Sequence, residues 1–252
     1  MEGLLQFLPD GMQAGVLAAL VAGSFASSLI TAAFGIGGGG MLLAIMATLV
    51  PPQALIPVHG IVQLGSNAGR MLMLLRQVFW PAIPVFAAGS LVGSVAGGLV
   101  VVDLPGAVVQ IGVGCFVIWT VVARPPRWLR DMPFVGGLIS SFLTMFFGAT
   151  GLFVASYTKS LALGRHAHVA THATLMTLQH GLKVVVFGFL GFAFGDWWAV
   201  IVLMIVAGAA GTWVGSHVLN HIDDRRFHIA LNVLLVVISL RLIWQGLAEY
   251  GS

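Results

Sequence analysis

The stretch Phe34-Gly35-Ile36-Gly37-Gly38-Gly39-Gly40 separates two apolar runs and organises the rest of the chain. Five of the six residues at 35–40 are glycine, and each glycine in a helix interior costs about 1 kcal/mol relative to alanine. We therefore predict a loop here, with a helix beginning near Met41. In lipid, such backbone is tolerated only where protein or a water-filled cavity satisfies its polar groups. The loop is thus expected to line a site inside the membrane.

The composition is that of an integral membrane protein. Of the 252 residues, 59% are hydrophobic and 8% are charged, against about 25% charged in an ordinary soluble domain. The formal net charge of +3 rests on few charges, which indicates loop topology rather than nucleic-acid binding. The sequence predicts an all-α, multi-pass protein of the cell inner membrane and gives no sign of a cofactor.

Ten apolar segments form two sets of five. The first membrane repeat is predicted at 1–123, a cytoplasmic linker at 124–132 and the second repeat at 133–252. The predicted segments are 12–34, 41–50, 54–75, 80–101, 106–123, 133–147, 151–163, 168–192, 197–218 and 227–247. Segments 41–50 and 151–163 fall short of the about 20 residues that a spanning helix needs. Each is therefore expected to be a half-length or broken helix.

Two constant offsets relate the sets. An offset of 113 residues superposes the first three segments, and an offset of 118 superposes the fourth, where both copies carry Gly-x-x-x-Gly, a pattern that lets helices approach closely. The superposed pairs are Gly38 with Gly151, His59 with His172, Arg70 with Lys183, Gly93 with Gly211, and Gly97 with Gly215. The matches, in order along the chain, predict a two-fold internal repeat.

Basic residues predict the orientation. If the N-terminus is outside and each segment crosses once, eight of the eleven basic residues are cytoplasmic: Arg76, Arg124, Arg127, Arg130, Lys159, Arg165, Arg225 and Arg226. Both termini then lie outside and the two repeats are inverted, a pattern expected of secondary transporters with broken helices. If the short segments re-enter instead, the repeats become parallel and 225–226 falls on the outer side. We predict the inverted arrangement.

Each third segment carries a stripe of polar residues on one helical face. The first stripe contains His59, Gln63, Ser66, Asn67 and Arg70. The second contains His172, Gln179, His180 and Lys183, and Thr171 adjoins it. Polar residues within a span usually face the bundle interior or a water-filled cavity. Hydrogen bonding to neighbouring helices is the alternative.

Arg70 and Lys183 indicate an anion site, because no Asp or Glu lies within any predicted segment. Snorkelling to an interface is the alternative for both cations. Helix N-termini after the glycine loop and at Thr150-Gly151 would add free N–H groups. The predicted binding residues are Gly37, Gly38, Gly39, Gly40, His59, Gln63, Asn67, Arg70, Thr150, Gly151, Thr171, His172, Gln179, His180 and Lys183.

The histidines allow two further interpretations. His168 and His172 are spaced to share a metal ion, but no carboxylate or cysteine stands beside them and no His-Glu-x-x-His pattern occurs. We therefore predict no metal site. Histidine titrates near neutral pH, which makes His59 and His172 candidate proton carriers.

The sequence from Phe34 through the 57–70 segment to the glycine-spaced helix 89–97 resembles the TauE/SafE sulfite exporter family, and so does the weaker copy from Phe147. The resemblance covers nearly the whole chain. It implies a two-repeat permease for small sulfur-containing anions and organosulfonates. The chain departs from the family pattern at 58–60 and 171–174, and its second glycine turn is reduced to 148–151.

The sequence thus predicts a secondary transporter that moves a small anion, sulfite or an organosulfonate such as sulfoacetate, by alternating access. A passive anion or small-solute channel and a proton-coupled carboxylate transporter are the alternatives. An intramembrane enzyme would need a nucleophile–base pair or a metal set, and the segments contain neither. The expected partners are a small anionic substrate and the lipid bilayer, with a coupling proton and a homodimer left open and no nucleic acid.

Overall fold

The computed structural model describes residues 8–9, 11–34, 37–101, 105–123, 131–148, 150–218 and 224–250, and every long element within them is an α-helix. The helices are α1 (Ala14–Phe34), α2 (Gly38–Ala47), α3 (Pro52–Met73), α4 (Ile83–Val101), α5 (Gly106–Val122), α6 (Pro133–Phe147), α7 (Gly151–Ser160), α8 (Arg165–Phe189), α9 (Trp198–Val218) and α10 (Asp224–Tyr250). The all-α prediction is confirmed. Gly35, Ile36, most of the 124–132 linker and the chain termini lie outside the described residues.

The helix lengths fit a membrane protein. Four described stretches are long and apolar enough to cross a membrane: Ala14–Ala33, Trp80–Val101, Phe194–Ser216 and Asn232–Tyr250. Helices α3 and α8 have 22 and 25 residues, a spanning length, but carry the polar stripes. Helices α2 and α7 have 10 residues each, which covers only about half of a hydrocarbon core that is about 30 Å thick.

The start of α2 differs from the prediction. The helix begins at Gly38 rather than near Met41, so Gly38 to Gly40 form its first turn instead of a loop. Gly37 precedes the helix with a φ of 103°, which L side chains rarely adopt. A Cβ on Gly38 would overlap the carbonyl oxygen of Ser27 on α1. Close approach to α1 therefore explains a glycine that helix propensity alone disfavours.

Helices α1 and α2 form an antiparallel hairpin, here called the first hairpin. Gly38, at the start of α2, lies beside Ser27, whereas Ile45, near its end, lies beside Gly23. Helix α2 thus runs back along α1, and Gly37 is the described residue at the tip of the hairpin.

Helices α6 and α7 form the second hairpin. Phe86 of α4 contacts Gly137, early in α6, and stacks on Tyr157, late in α7, with ring centroids 5.3 Å apart. The two helices therefore run in opposite directions, and Gly148 and Thr150 are the described residues at the tip. Gly148 has a φ of 71°, so this tip also contains a glycine with positive φ.

The helices of the two sets pack reciprocally. Helix α1 packs on α9, α4 on α6, α3 on α8 and α5 on α10. Three of the five pairs of helix starts follow the sequence offsets: α2 and α7, like α3 and α8, begin 113 residues apart, and α5 and α10 begin 118 apart, whereas α1 and α6 begin 119 apart and α4 and α9 begin 115 apart. Each first and fourth helix therefore finds its main partner in the other set.

Glycines mediate the closest of these contacts. A Cβ on Gly93 would overlap the backbone of Leu138 on α6, and a Cβ on Gly211 would overlap the backbone of Phe25 on α1. The Gly-x-x-x-Gly patterns of α4 and α9 thus act as predicted, because the missing side chains let the backbones approach.

Candidate functional site

A cavity of about 170 Å³ lies where the two hairpin tips meet. Its lining residues are Thr31, Gly37, Gly39, Gly40, His59, Gln63, Asn67, Thr120, Val121, Gly148, Gly151, Leu152, His172, Met176, His180, Asn232 and Leu235. One water needs only about 10–15 Å³, so a small anion fits. Both tips, the middles of α3 and α8, and parts of α5 and α10 form this lining.

The first hairpin presents the start of α2 to the cavity. The Met41 amide donates to the Gly37 carbonyl oxygen at 3.1 Å, which is the first bond of the helical ladder. The amides of Gly38, Gly39 and Gly40 precede that bond and have no acceptor one turn earlier within α2. Gly39 and Gly40 line the cavity. The second hairpin presents the start of α7 through Gly151 and Leu152 in the same way.

His59 lies between the two tips. Its Nε2 is 3.1 Å from the carbonyl oxygen of Gly39, so Nε2 donates to the first hairpin. A Cβ on Gly148 of the second tip would be 3.4 Å from its Nδ1. The rings of His59 and His180 meet edge to face, with centroids 6.1 Å apart. The Nδ1 atoms of His59, His172 and His180 are all buried without a hydrogen-bond partner among the described residues.

The amide side chains of the first stripe line the same cavity. Asn67 Nδ2 donates to the backbone carbonyl oxygen of Gln63 at 2.8 Å and lies 3.4 Å from the Gln63 side-chain oxygen. Met176 of α8, at the position that corresponds to Gln63, supplies an apolar surface opposite. The cavity is therefore more polar on the α3 side at this level.

Both stripe cations are buried behind the lining. Lys183 Nζ donates to the Gly148 carbonyl oxygen at 3.2 Å, and its stem lies against Gly60. Arg70 Nη2 donates to Ser66 Oγ at 3.1 Å. Neither side chain is among the described lining residues. Direct contact of either cation with a ligand therefore stays a prediction.

Nine of the fifteen predicted binding residues line the cavity: Gly37, Gly39, Gly40, His59, Gln63, Asn67, Gly151, His172 and His180. The structure places the others differently. Gly38 faces α1, Thr150 is buried with its hydroxyl unpartnered among the described residues, and Thr171 Oγ1 accepts from the Phe79 amide at 2.9 Å. Gln179 donates to the hydroxyls of Ser140 and Ser141 on α6.

Sequence reasoning missed part of the lining. Thr31 stands one turn before the glycine run, and Asn232 is a polar residue within the last apolar segment. Both positions could therefore have been recognised from the sequence as candidate lining residues. Thr120 donates to the Val117 carbonyl of its own helix at 2.7 Å, and nothing in its local sequence marks it. Within the described residues, no three His, Cys, Asp or Glu side chains come close enough to hold a metal ion.

The family model described as Sulfite exporter TauE/SafE matches residues 19–242. The match covers most of the chain and includes both hairpin tips and every described residue that lines the cavity. No curated protein and no solved structure matches the chain.

Proposed function

Because the chain belongs to the TauE/SafE sulfite exporter family, we propose that it is a secondary transporter that moves sulfite or an organosulfonate such as sulfoacetate by alternating access. The family and the four long apolar helices make it a multi-pass membrane transport protein. The substrate, the alternating-access mechanism and an inner-membrane location are our proposals.

The cavity between the hairpin tips carries this proposal. Two half-length helices, α2 and α7, begin at the cavity from opposite sets of helices. A helix N-terminus is the positive end of its dipole and offers free N–H groups, so it favours an anion. Broken helices whose N-termini face an anionic group inside the membrane are a recurrent arrangement in secondary transporters.

The charge of the surroundings also favours an anion. The described lining contains side-chain amides, hydroxyls and imidazoles, and no carboxylate. Arg70 and Lys183 lie buried behind the lining. We propose that these two side chains neutralise the bound ligand, with the α2 and α7 amides and the side chains of His59, Gln63 and Asn67 binding its oxygens.

We further propose that 1–123 and 133–252 are inverted repeats joined by a cytoplasmic linker. The equal offset between the starts of α2 and α7 and of α3 and α8, and the reciprocal packing of α1 on α9 and α4 on α6, support this. In this proposal each antiparallel hairpin is a re-entrant pair that returns the chain to the side from which it came, in place of the two crossings expected from the sequence. Three helices of each set then cross the membrane, an odd number, so the two sets stay inverted and both termini lie outside. Arg76, Lys159 and Arg165 then share the cytoplasmic side.

Counterflow in proteoliposomes tests the transporter. Vesicles loaded with unlabelled sulfoacetate should take up labelled sulfoacetate transiently and saturably. Ohmic anion currents without counterflow would identify a channel instead. A thermal-shift panel of sulfite, sulfate, sulfoacetate, taurine and short carboxylates tests the substrate class. Stabilisation by carboxylates alone would favour a carboxylate transporter.

Two substitutions test the anion site. Arg70→Gln and Lys183→Gln should each weaken sulfoacetate binding, because each removes a buried basic side chain that neutralises the bound anion. Arg76→Gln is the matched control, since its side chain is exposed and is not among the described lining residues. Unchanged binding in both test variants would disprove the site.

A further inference from the structure

Lys183 of α8 carries a fully buried amine that contacts the tip of the second hairpin. Its exposed fraction is 0%, and within the described residues its Nζ donates to the carbonyl oxygen of Gly148 at 3.2 Å. The eight acidic residues of the chain all lie outside 11–102 and 132–195. The helices that surround Lys183 therefore carry no carboxylate to pair with it.

An ammonium group without an anion is costly in such a place. Burial of an unpaired charge is strongly unfavourable, whereas a neutral amine with one hydrogen bond is not. Lysine can give up its proton, but arginine cannot. The charge on Lys183 should therefore depend on whether an anion occupies the adjacent cavity.

None of the other titratable groups near Lys183 is a carboxylate. His59 of α3 and His180 of α8 both lie within electrostatic range of it. The helices that pack most extensively on α8 are α3, α4, α6 and α7, and α4 and α6 contain no titratable residue. The remaining groups on elements packed against α8 are Arg70, Arg76, Tyr157 and Lys159. None of these supplies a negative charge to stabilise an ammonium group at neutral pH.

The hydrogen bond of Lys183 connects it directly to the cavity. Gly148, whose carbonyl oxygen accepts from Nζ, is a lining residue, and His59 and His180 line the same space. The Gly148 carbonyl oxygen also accepts from Thr144 Oγ1 at 3.0 Å. It therefore keeps a donor when the amine turns toward a ligand.

We propose that Lys183 carries the coupling proton of the transport cycle, an inference that rests on the proposed transport function. The amine is neutral while the cavity is empty. When an anion enters, the Nζ lone pair takes one proton from the water on the same side, and an N–H bond forms. When the anion leaves on the other side, that bond breaks and the proton leaves too. One proton thus moves with each anion, and one negative charge is neutralised.

The corresponding residue of the first half cannot play this role. Arg70 is a guanidinium that stays charged, and Ser66, which accepts from it, lies 3.2 Å from Ser28 Oγ on α1. Arg70 therefore supplies a constant charge, whereas Lys183 supplies one that depends on occupancy.

Sulfoacetate uptake with and without an imposed pH gradient, at zero membrane potential, tests this role. At one proton per anion, one pH unit drives about tenfold accumulation. The measured quantity is the ratio of the two uptake levels in the same vesicle preparation. We expect a ratio well above one for the wild type and for the exposed matched control Lys159→Arg, and a ratio near one for Lys183→Gln.

Lys183→Arg is the second variant, because it keeps the positive charge and the donor but cannot release the proton. Its ratio should also fall to about one. A wild-type ratio in Lys183→Arg or Lys183→Gln would overturn the proposal. If His59→Gln then gave a ratio near one, the coupling proton would belong to His59 instead. Absence of counterflow in the wild type would count against the transport function itself.

Discussion

His59 and Gly39 are joined by a hydrogen bond of 3.1 Å between the imidazole Nε2 and the backbone carbonyl oxygen. The bond connects the middle of α3 to the first turn of α2, so it holds the start of the half-length helix at the cavity. The two residues are 20 positions apart, and their contact depends on the reversal of the chain between α2 and α3.

Removal of this bond should destabilise the first hairpin. His59→Ala removes the donor that α3 supplies to the Gly39 carbonyl, which also accepts within the α2 ladder, and the loss of such a hydrogen bond costs about 0.5–1.5 kcal/mol. We expect a lower thermal unfolding midpoint in detergent, measured by intrinsic fluorescence. His59→Gln, which restores an N–H donor, should recover part of the loss. Equal midpoints for His59→Ala and the wild type would contradict the bond.

Two neighbouring glycines should respond oppositely to alanine. A Cβ on Gly38 would overlap the α1 backbone, so Gly38→Ala should cost about 3 kcal/mol or more. Gly40 has no atom within 4 Å of an added Cβ, so Gly40→Ala should be neutral or add up to about 1 kcal/mol of helix propensity. Size-exclusion profiles and unfolding midpoints distinguish them. Equal tolerance of both changes would argue against an α2 that begins at Gly38.

The glycine contacts of α4 and α9 should be as sensitive to alanine substitution as the Gly38 contact. Gly93→Ala and Gly211→Ala each place a methyl group against backbone of another helix, which a rigid main chain cannot accommodate without a shift. Both variants should unfold at lower temperature than the wild type. Gly69→Ala, in open space on α3, is the control and should not. A stable Gly93→Ala beside an unstable Gly211→Ala would mean that the two contacts are not equivalent.

Gln179 should matter for stability rather than for ligand affinity. Its amide donates to Ser140 and Ser141 of α6, so Gln179→Leu should cost about 1–3 kcal/mol of stability. The dissociation constant of sulfoacetate, measured by calorimetry, should change less than that of Asn67→Ala. The Ser140→Ala/Ser141→Ala double variant should not add fully to Gln179→Leu, because the three side chains share one network. Full additivity would refute that network.

The helical architecture could be predicted because hydropathy and glycine breaks are local signals. All ten helices were expected, including the two half-length ones. The start of α2 was misplaced because glycine propensity says nothing of the close approach between Gly38 and α1. At that contact the tertiary requirement outweighs the local preference.

The candidate site could be predicted only in part. A helical stripe gives the face of a residue, and His59, Asn67 and His172 indeed share the cavity. The stripe does not show which part of the chain packs against each residue. Gln179 and Thr171 therefore could not be recognised as residues that hydrogen-bond to Ser140 and Phe79. Asn232 joins the lining from α10, which begins about 150 residues after α3 ends, a proximity that only the tertiary fold creates.

Because of the reciprocal packing, α1 is translated well before the helix on which it packs. Ser24 of α1 donates to the carbonyl oxygen of Met204 on α9, 180 residues further along the chain, at 2.7 Å. At about 5–20 residues per second, the ribosome takes roughly 10–40 s to make that partner. During this time α1 has lipid or insertion machinery beside it in place of α9. Helix α9, which is translated long after α1, therefore completes the packing of α1.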